Sequence, residues 1–463
     1  MLNPQIFRTY DIRGKAEEDF SAADVELIGR AFGTYLQKQG TRQALVAHDN
    51  RKTSPLYAER IVRGLLESGI DVFFIGLALT SNLYYARHHY HIDGGVMITA
   101  SHNPPFYNGF KLCQGLKCIY GEELQQVYQL IKKANFSKGR GVLKILPTAT
   151  NTYLEAIKER IQLKRPLKIV VDCGNGVTGA FVPRFLRELG CEVITLYGDL
   201  DASYPHHIPD PVQLSAHEKL IARVKKEKAD LGVMFDGDGD RVGTVDARGN
   251  IWLGDMILIL LMRHYLPSYP GAKVIVEIKD SEAVVDECQR LGGIPIFWKT
   301  GHALLDRKIK EEKAILCAEM SCHYWITPNW YIFDDALFTL ANLLQILSSS
   351  RESYADLMAS IPRYPSTPEY RIACPEEKKE AIVAAVREHF QKICSRVLTI
   401  DGIRGYYADG WFLIRKSNTQ PLLSVRCEAR TEEGLEKIKN LVQEHLNSYP
   451  EIHLDWEKQY SIH

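Results

Sequence analysis

Residues 168–198 read KIVVDCGNGVTGAFVPRFLRELGCEVITLYG. A β-branched strand comes first, then a polar loop, an amphipathic helix, a glycine and a second strand. The same order recurs at 44–76, ALVAHDNRKTSPLYAERIVRGLLESGIDVFFIG, and at 273–301, KVIVEIKDSEAVVDECQRLGGIPIFWKTG. Ile61, Leu65 and Leu66 fall on one helical face, as do Phe181, Phe185, Leu186 and Leu189. Gly69, Gly190 and Gly292 follow the helices, where a left-handed residue closes the last turn. Strand–helix–strand units of this length predict largely parallel sheets flanked by helices.

Each unit leads into one more short apolar strand that ends in polar residues: GVMITASHNP (95–104), LGVMFDGDGDR (231–241) and AILCAEMSCH (314–323). Ligands of open α/β sheets bind beyond the carboxyl ends of strands, so three such ends facing one cleft would form a composite site. The pattern breaks at about Tyr364. A helix (PEEKKEAIVAAVREHFQKI) is followed by strands RVLTI, GWFLIR and LLSVRCEA and by a last helix, TEEGLEKIKNLVQEHL, with Thr431 as N-cap. The expected class is α/β: three related mixed α/β domains with largely parallel sheets, plus a smaller C-terminal α+β domain. The expected limits are 1–148, 149–250, 251–363 and 364–463.

Bulk composition narrows the function. At 463 residues a single core is improbable and about three or four domains are expected. Lys+Arg and Asp+Glu are both 57, which argues against nucleic acid or an anionic membrane as the main partner. The opening MLNPQIFRTYDIRG has no apolar core, so no secretory leader is expected. The most apolar run, MILILLM at 256–262, is too short to span a bilayer and reads as a buried helix. Ten cysteines include no C-x-x-C pair, which speaks against a zinc site and a disulfide framework. A cytoplasmic protein with reduced thiols is expected.

DGDGDR, 236–241, is the sharpest chemical signal. The glycines let Asp236, Asp238 and Asp240 converge, and three carboxylates held so close call for a cation. The EF-hand pattern fails, because Arg241 stands at its sixth position and Ala247 at its twelfth. Oxygen ligands beside Arg241 suit Mg²⁺ working with phosphate. RKSNTQP, 415–421, offers Arg415 for bidentate phosphate binding, with Ser417, Asn418 and Thr419 as donors on a turn. DCGNGVTG places Gly174, Gly176 and Gly179 in a G-x-G-x-x-G, but Asp172 would face a pyrophosphate, and we read it as a structural turn. In that company Ser101 becomes a candidate nucleophile or phosphate carrier, with His102 beside it, Lys111 downstream, and Pro104 and Pro105 stiffening the loop.

Taken together, FRTYDIRG, TASHNPPFYNGFK, DGDGDR, AEMSCH and RKSNTQP resemble, in order and over the whole chain, the motifs of the α-D-phosphohexomutases. That family has four domains around a central cleft. The resemblance implies that Ser101 carries a phosphoryl group, and that one Mg²⁺ per chain is held by that phosphate and by Asp236, Asp238 and Asp240. It implies transfer to a hexose 1- or 6-phosphate, giving a hexose 1,6-bisphosphate, which also serves as primer. Arg13, His102 and Arg241 would help neutralise charge at the phosphoserine, and Lys111 and His323 would act as acid and base. Glu319 and Ser321 would grip sugar hydroxyls, and Lys279 and His302 would line the cleft. Tyr10 with Arg415, Ser417, Asn418 and Thr419 would hold the non-reacting phosphate. A monomer acting on a small phosphosugar is expected.

Two residues depart from the family pattern. Ala318 and Cys322 stand where glycines are usual. If the second position needs a positive φ, Cys322 carries strain on the order of 1 kcal/mol or more. Met320, where amino-sugar mutases tend to have Gln, argues against glucosamine phosphate. A phosphosugar phosphatase and a non-catalytic phosphosugar-binding protein are the alternatives. The second sits poorly with a phosphorylatable serine in a complete site.

Overall fold

The computed structural model describes residues 2–115, 117–417 and 421–457. All three repeated units are present. The first runs strand Gln43–His48, helix Ser54–Glu67, strand Asp71–Leu77, and then strand Gly94–Ile98. The second is Lys168–Asp172, helix Val182–Glu188, Glu192–Leu196 and Leu231–Phe235. The third is Lys273–Glu277, helix Glu282–Arg290, Ile294–Trp298 and Leu316–Ala318. In every unit the first strand lies between the other two and pairs parallel with both. Gly69, Gly190 and Gly292 have φ of 79°, 95° and 76°, the left-handed cap that the sequence called for.

After its third strand each chain segment turns back. Tyr107–Gln114, Val242–Asp246 and Tyr324–Ile326 run antiparallel against the strand they follow. The sheets are therefore mixed, and the three polar loops, 99–106, 236–241 and 319–323, occupy the same topological place in three sheets. Short hairpin-like connections hold them at the carboxyl ends of buried parallel strands, where rigidity is greatest.

The helix of the second unit starts later than its apolar pattern, because the 3₁₀ turn Val177–Ala180 intervenes. That turn explains the glycine motif. Val177 N donates to Gly237 O (3.1 Å), and a Cβ at Gly176 would lie 2.9 Å from the same oxygen. The glycines let this turn brace the acidic loop, as the structural reading supposed.

One apolar core runs through the first three domains, from Leu79 and Tyr84 through Val171 and Phe235 to Val276 and Leu340. The run at 256–262 lies in helix Gly254–Tyr265, with Ile257 to Met262 all buried. The C-terminal domain is built differently. Its five strands are antiparallel, and helices Glu376–Phe390 and Glu432–Leu446 cover one face through Val386, Phe390, Ile438 and Val442. Phe412 and Ile414 point into that core, while the alternate residues Trp411 and Leu413 pack on Ile278 of the third domain. Strand periodicity then aims Arg415 to the same side as Trp411 and Leu413. Thr431 caps the last helix, accepting from Gly434 N at 3.0 Å. Among the described residues no helix is long and apolar enough to cross a membrane.

Candidate active site

Ser101 ends the strand Gly94–Ile98 in a left-handed conformation, φ 51°, which is costly for a residue with a Cβ. The turn delivers its hydroxyl across the domain boundary: Oγ donates to Asp236 Oδ2 at 2.6 Å and lies 3.1 Å from His102 Nδ1. Burial, with Arg241 and Arg13 nearby, holds the His102 imidazole well below its usual pKa. In the unphosphorylated chain that shift favours the neutral imidazole as a hydrogen-bonding group. Arg13 is fixed by Asn103 Oδ1 (2.7 Å) and Asp11.

Asp236, Asp238 and Asp240 are fully buried, and each offers one oxygen to a cluster in which those oxygens lie within 4.8 Å of one another. Asp236 Oδ1 accepts the N–H groups of Gly239, Asp240 and Arg241, each at 3.1 Å, which folds the loop tightly. Burial and the other two aspartates push the Asp236 carboxyl well above its usual pKa. Lys111 Nζ bridges Asp238 (3.0 Å) and Asp240. Burial opposes its charge, but the two carboxylates win and hold the ammonium well above its ordinary range. Among the described residues Asp238 Oδ1 is buried without a hydrogen-bond partner, and Asp240 Oδ1 has His323 Nε2 at 3.4 Å. An all-oxygen donor set with an orphaned carboxylate atom fits a hard divalent cation.

The third loop brings His323, whose Nδ1 lies 2.8 Å from Glu319 Oε2. Burial and Arg241 lower the His323 pKa, but Asp240 and Glu319 outweigh them and raise it to about 10. Arg241 Nε also approaches Nε2 to 3.2 Å, and donates to it only when that nitrogen is bare. Ser321 Oγ is 3.5 Å from Glu319 Oε2. The His302 ring lies tilted at 6.0 Å from that of His323 and 6.1 Å from that of Tyr10, whose hydroxyl donates to Thr300 O at 2.9 Å.

Lys279 lies between Glu277 (3.3 Å) and Glu369 (3.6 Å). Glu369 is largely shielded from water, which opposes its charge, yet Lys279, Ser424 and two arginines, Arg371 and Arg415, bring its pKa down to about 2. Arg415 is anchored by Nε to Asp401 (2.9 Å), and its buried Nη2 has no hydrogen-bond partner among the described residues. Ser417 N donates to Leu422 O at 2.9 Å. Asn418 and Thr419 lie outside the described residues. The structure thus joins the loops of Ser101, Asp236 to Arg241 and Glu319 to His323 in one contact network. Arg415 stands apart on the fourth domain, facing Glu369 and Lys279.

Sequence reading missed Thr80, Asp334 and Glu277. Thr80 Oγ1 donates to Asp238 Oδ2 at 2.7 Å from 158 residues away, out of a segment with no motif. Asp334 Oδ2 is 3.7 Å from His323 Nε2, and burial beside Asp240 raises its pKa to about 7. Glu277 Oε2 accepts Met320 N at 2.9 Å, holding the 319–323 loop. A buried carboxylate at a strand end was the only available signal for Glu277.

Cys322 has φ 73° and is fully buried, so the suspected strain is present. Its backbone also ties the second and third domains, since Val242 N donates to Cys322 O at 3.1 Å. Removing its side chain relieves strain but gives up a buried thiol. Cys322→Gly is expected to change stability by less than ~1 kcal/mol, whereas the β-branched Cys322→Val should cost ~2 kcal/mol or more. Denaturant melts of both variants check the difference, and equal midpoints would remove the strain argument.

A hydroxyl aimed at a carboxylate triad, between arginines and an imidazole, is an arrangement for moving phosphoryl groups. Comparison with known proteins agrees. Four family profiles match in succession: phosphoglucomutase/phosphomannomutase alpha/beta/alpha domain I at residues 4–138, domain II at 151–249, domain III at 253–364 and the C-terminal domain at 369–445. The chain belongs to the phosphoglucomutase/phosphomannomutase family. Among its relatives, the phosphomannomutase/phosphoglucomutase of Pseudomonas aeruginosa is 39% identical over 450 residues, 96% of each chain. The phosphoglucomutase of Neisseria gonorrhoeae is 37% identical, over 98% of this chain and 99% of its own. A phosphoglucomutase/phosphomannomutase family protein from Burkholderia thailandensis superposes with a TM-score of 0.92 at 37% identity, covering 97% of this chain and 98% of that one.

Proposed function

We propose that this protein is a phosphohexomutase that interconverts hexose 1-phosphate and hexose 6-phosphate, with glucose and mannose both as substrates. The observation that carries the reading is Ser101 Oγ at 2.6 Å from Asp236 within the three-aspartate cluster. Ser101 is the phosphoryl carrier. Asp236, Asp238 and Asp240 would hold one Mg²⁺, which supplies charge neutralisation at the phosphoserine when bound. Arg13 and Arg241 add fixed positive charge around the same oxygens, and His102 a neutral hydrogen bond.

A sugar hydroxyl attacks the phosphorus of phosphoserine and loses its proton, while the P–O bond to Ser101 breaks and Ser101 Oγ takes up a proton to become the free hydroxyl. Lys111 and His323 are the groups placed to move those protons. The product is a hexose 1,6-bisphosphate, which also primes the enzyme. Turned over in the cleft, it returns its other phosphate to Ser101. Glu319 and Ser321 would hold the 3- and 4-hydroxyls, which stay roughly in place when the ring flips. That grip leaves C2 unread, so glucose and mannose forms both fit. Lys279 and His302 line the path, and Tyr10 with Arg415, Ser417, Asn418 and Thr419 clamps the idle phosphate. The working units are taken as 1–148, 149–250, 251–363 and 364–463, in a cytoplasmic monomer.

The test is a coupled assay with glucose 1-phosphate and mannose 1-phosphate side by side, primed with catalytic bisphosphate. Formation of the 6-phosphates supports the reading. Release of free phosphate instead would make the protein a phosphatase, and no turnover of either sugar would overturn the proposal.

Arg415 carries its own expectation. Losing a charge-assisted bidentate contact to a remote phosphate should cost roughly 2–4 kcal/mol in kcat/KM, about 30- to 1000-fold. Arg415→Lys should recover only part, because an ammonium keeps the charge but not the fork. Arg415→Ala should still carry phosphate on Ser101, since its domain is separate. It should also leak more bisphosphate per turnover, because the intermediate must be released and caught again. Normal kcat/KM in Arg415→Ala removes the clamp from the mechanism.

A further inference from the structure

The loop that presents Ser101 is held by one side chain that no motif singled out. Arg51 follows the strand Gln43–His48 of the first unit, and its side chain is fully buried. Its Nη2 donates to Ser101 O (2.8 Å) and Asn103 O (2.6 Å), and its Nη1 to Pro104 O (2.7 Å) and Tyr107 O (2.9 Å). Four carbonyls of the 101–107 loop thus end on one guanidinium. The guanidinium is itself fixed. Its Nε lies 3.3 Å from Asp49 Oδ2, and Asp49 Oδ1 accepts Arg51 N (3.0 Å) and Ser54 Oγ (2.6 Å). Its plane also faces the Tyr204 ring of the second domain at 5.4 Å.

Ser101 needs such support. A residue with a Cβ at φ 51° persists only where its surroundings over-determine it. The loop has few closing bonds of its own near the serine: Asn103 N to Ala100 O (3.0 Å), Tyr107 N to Pro104 O (3.0 Å) and Ser101 N to Thr99 Oγ1 (2.8 Å). Its carbonyls face inward, where an unpaired oxygen is costly. A residue that only packed the first domain would not send all four Nη bonds to the backbone of this loop.

We propose that Arg51 is a positioning residue for phosphoryl transfer. Resting on the mutase reading above, it fixes the 101–107 backbone so that Ser101 Oγ meets the aspartate cluster. The planar fork matters. Four carbonyls need four N–H groups in fixed directions, and an ammonium has three on a flexible stem. Without the fork the loop relaxes, and a misplacement of about 1 Å at the carrier costs about 10²-fold in rate. Sugar contacts come from other loops, so substrate affinity should stay.

The experiment compares the full-length parent, Arg51→Lys and Arg51→Ala, each with Mg²⁺, for kcat, KM, thermal melting and Ser101 phosphorylation by bisphosphate. The parent is measured first. If it neither turns over nor accepts phosphate on Ser101, the mutase reading has failed, and this proposal with it. Given an active parent, Arg51→Ala is expected to lose about 10²-fold in kcat with KM within about threefold, at a temperature where it is folded. Arg51→Lys should not regain more than part of the loss. Low millimolar guanidinium, far below denaturing levels, should restore kcat of Arg51→Ala at least tenfold, and methylammonium should not. If Arg51→Ala does not fold, Arg51→Lys decides alone: a tenfold or greater drop in kcat of folded protein supports the proposal. Parent-like kcat per folded molecule, or a loss that appears in KM alone, overturns it.

Discussion

Ser101→Ala lowers turnover by at least about 10²-fold, because it removes the covalent step rather than weakening a contact. The Ser101 hydroxyl is the group that the structure delivers to Asp236, at 2.6 Å, from a strained turn in another domain. Alanine meets the same backbone conformation with no better ease, so the variant should fold, at a cost of about 1 kcal/mol for the buried hydrogen bond to Asp236. Peptide mapping should place one phosphoryl group on Ser101 in at least part of the purified parent and none in the variant. Phosphate mapped to a different residue, together with full activity in Ser101→Ala, would sink the assignment.

Chelation abolishes activity and Mg²⁺ restores it. Three buried carboxylates whose oxygens lie within 4.8 Å repel one another, and Lys111 compensates only Asp238 and Asp240. A bound divalent cation relieves that repulsion, so it should also raise the thermal midpoint. Asp236→Asn isolates the charge from the shape. An amide oxygen can still accept the N–H groups of Gly239, Asp240 and Arg241, while one ligand charge is gone. Titration calorimetry should show Mg²⁺ affinity down by at least about tenfold. Without metal the variant should be no less stable than the parent, since it has lost a like-charge neighbour. Full activity in chelator, or unchanged Mg²⁺ affinity in Asp236→Asn, would refute the metal assignment.

The architecture was legible because its signals are local. Each repeated unit carries short, continuous β-branched or apolar runs, a 3.6-residue helix pattern and a glycine at the turn, and these marked Lys168–Asp172, Leu231–Phe235 and their counterparts before any contact was known. The strand Leu422–Ala429 and the helix Glu432–Leu446 matched their quoted segments for the same reason. Elements without such a signal were missed. Strand Ile403–Tyr407 is short and interrupted by Gly405, and it exists because Ile403 and Tyr407 pair with Ile414 and Gly410. The helix Val182–Glu188 begins late because backbone contacts with Gly237 impose a 3₁₀ turn first.

The site divides in the same way. The chain alone singled out the candidate loops, because Ser101, the alternating aspartates and Arg415 sit in compact motifs whose residue types already limit what they can bind. It also foresaw the strain at Cys322, since backbone conformation at one position is a local property. Only the tertiary structure decided the electrostatics. The His102 pKa is lowered because the fold buries the ring and brings Arg241 and Arg13 beside it from two other parts of the chain. His323 is raised because Asp240 and Glu319 converge on it. Thr80 joins Asp238, and Arg51 gathers four loop carbonyls, across separations that no pattern records. Charge interactions and hydrogen bonds act through space and depend on burial, so they appear only when distant segments of the chain are brought together and water is excluded.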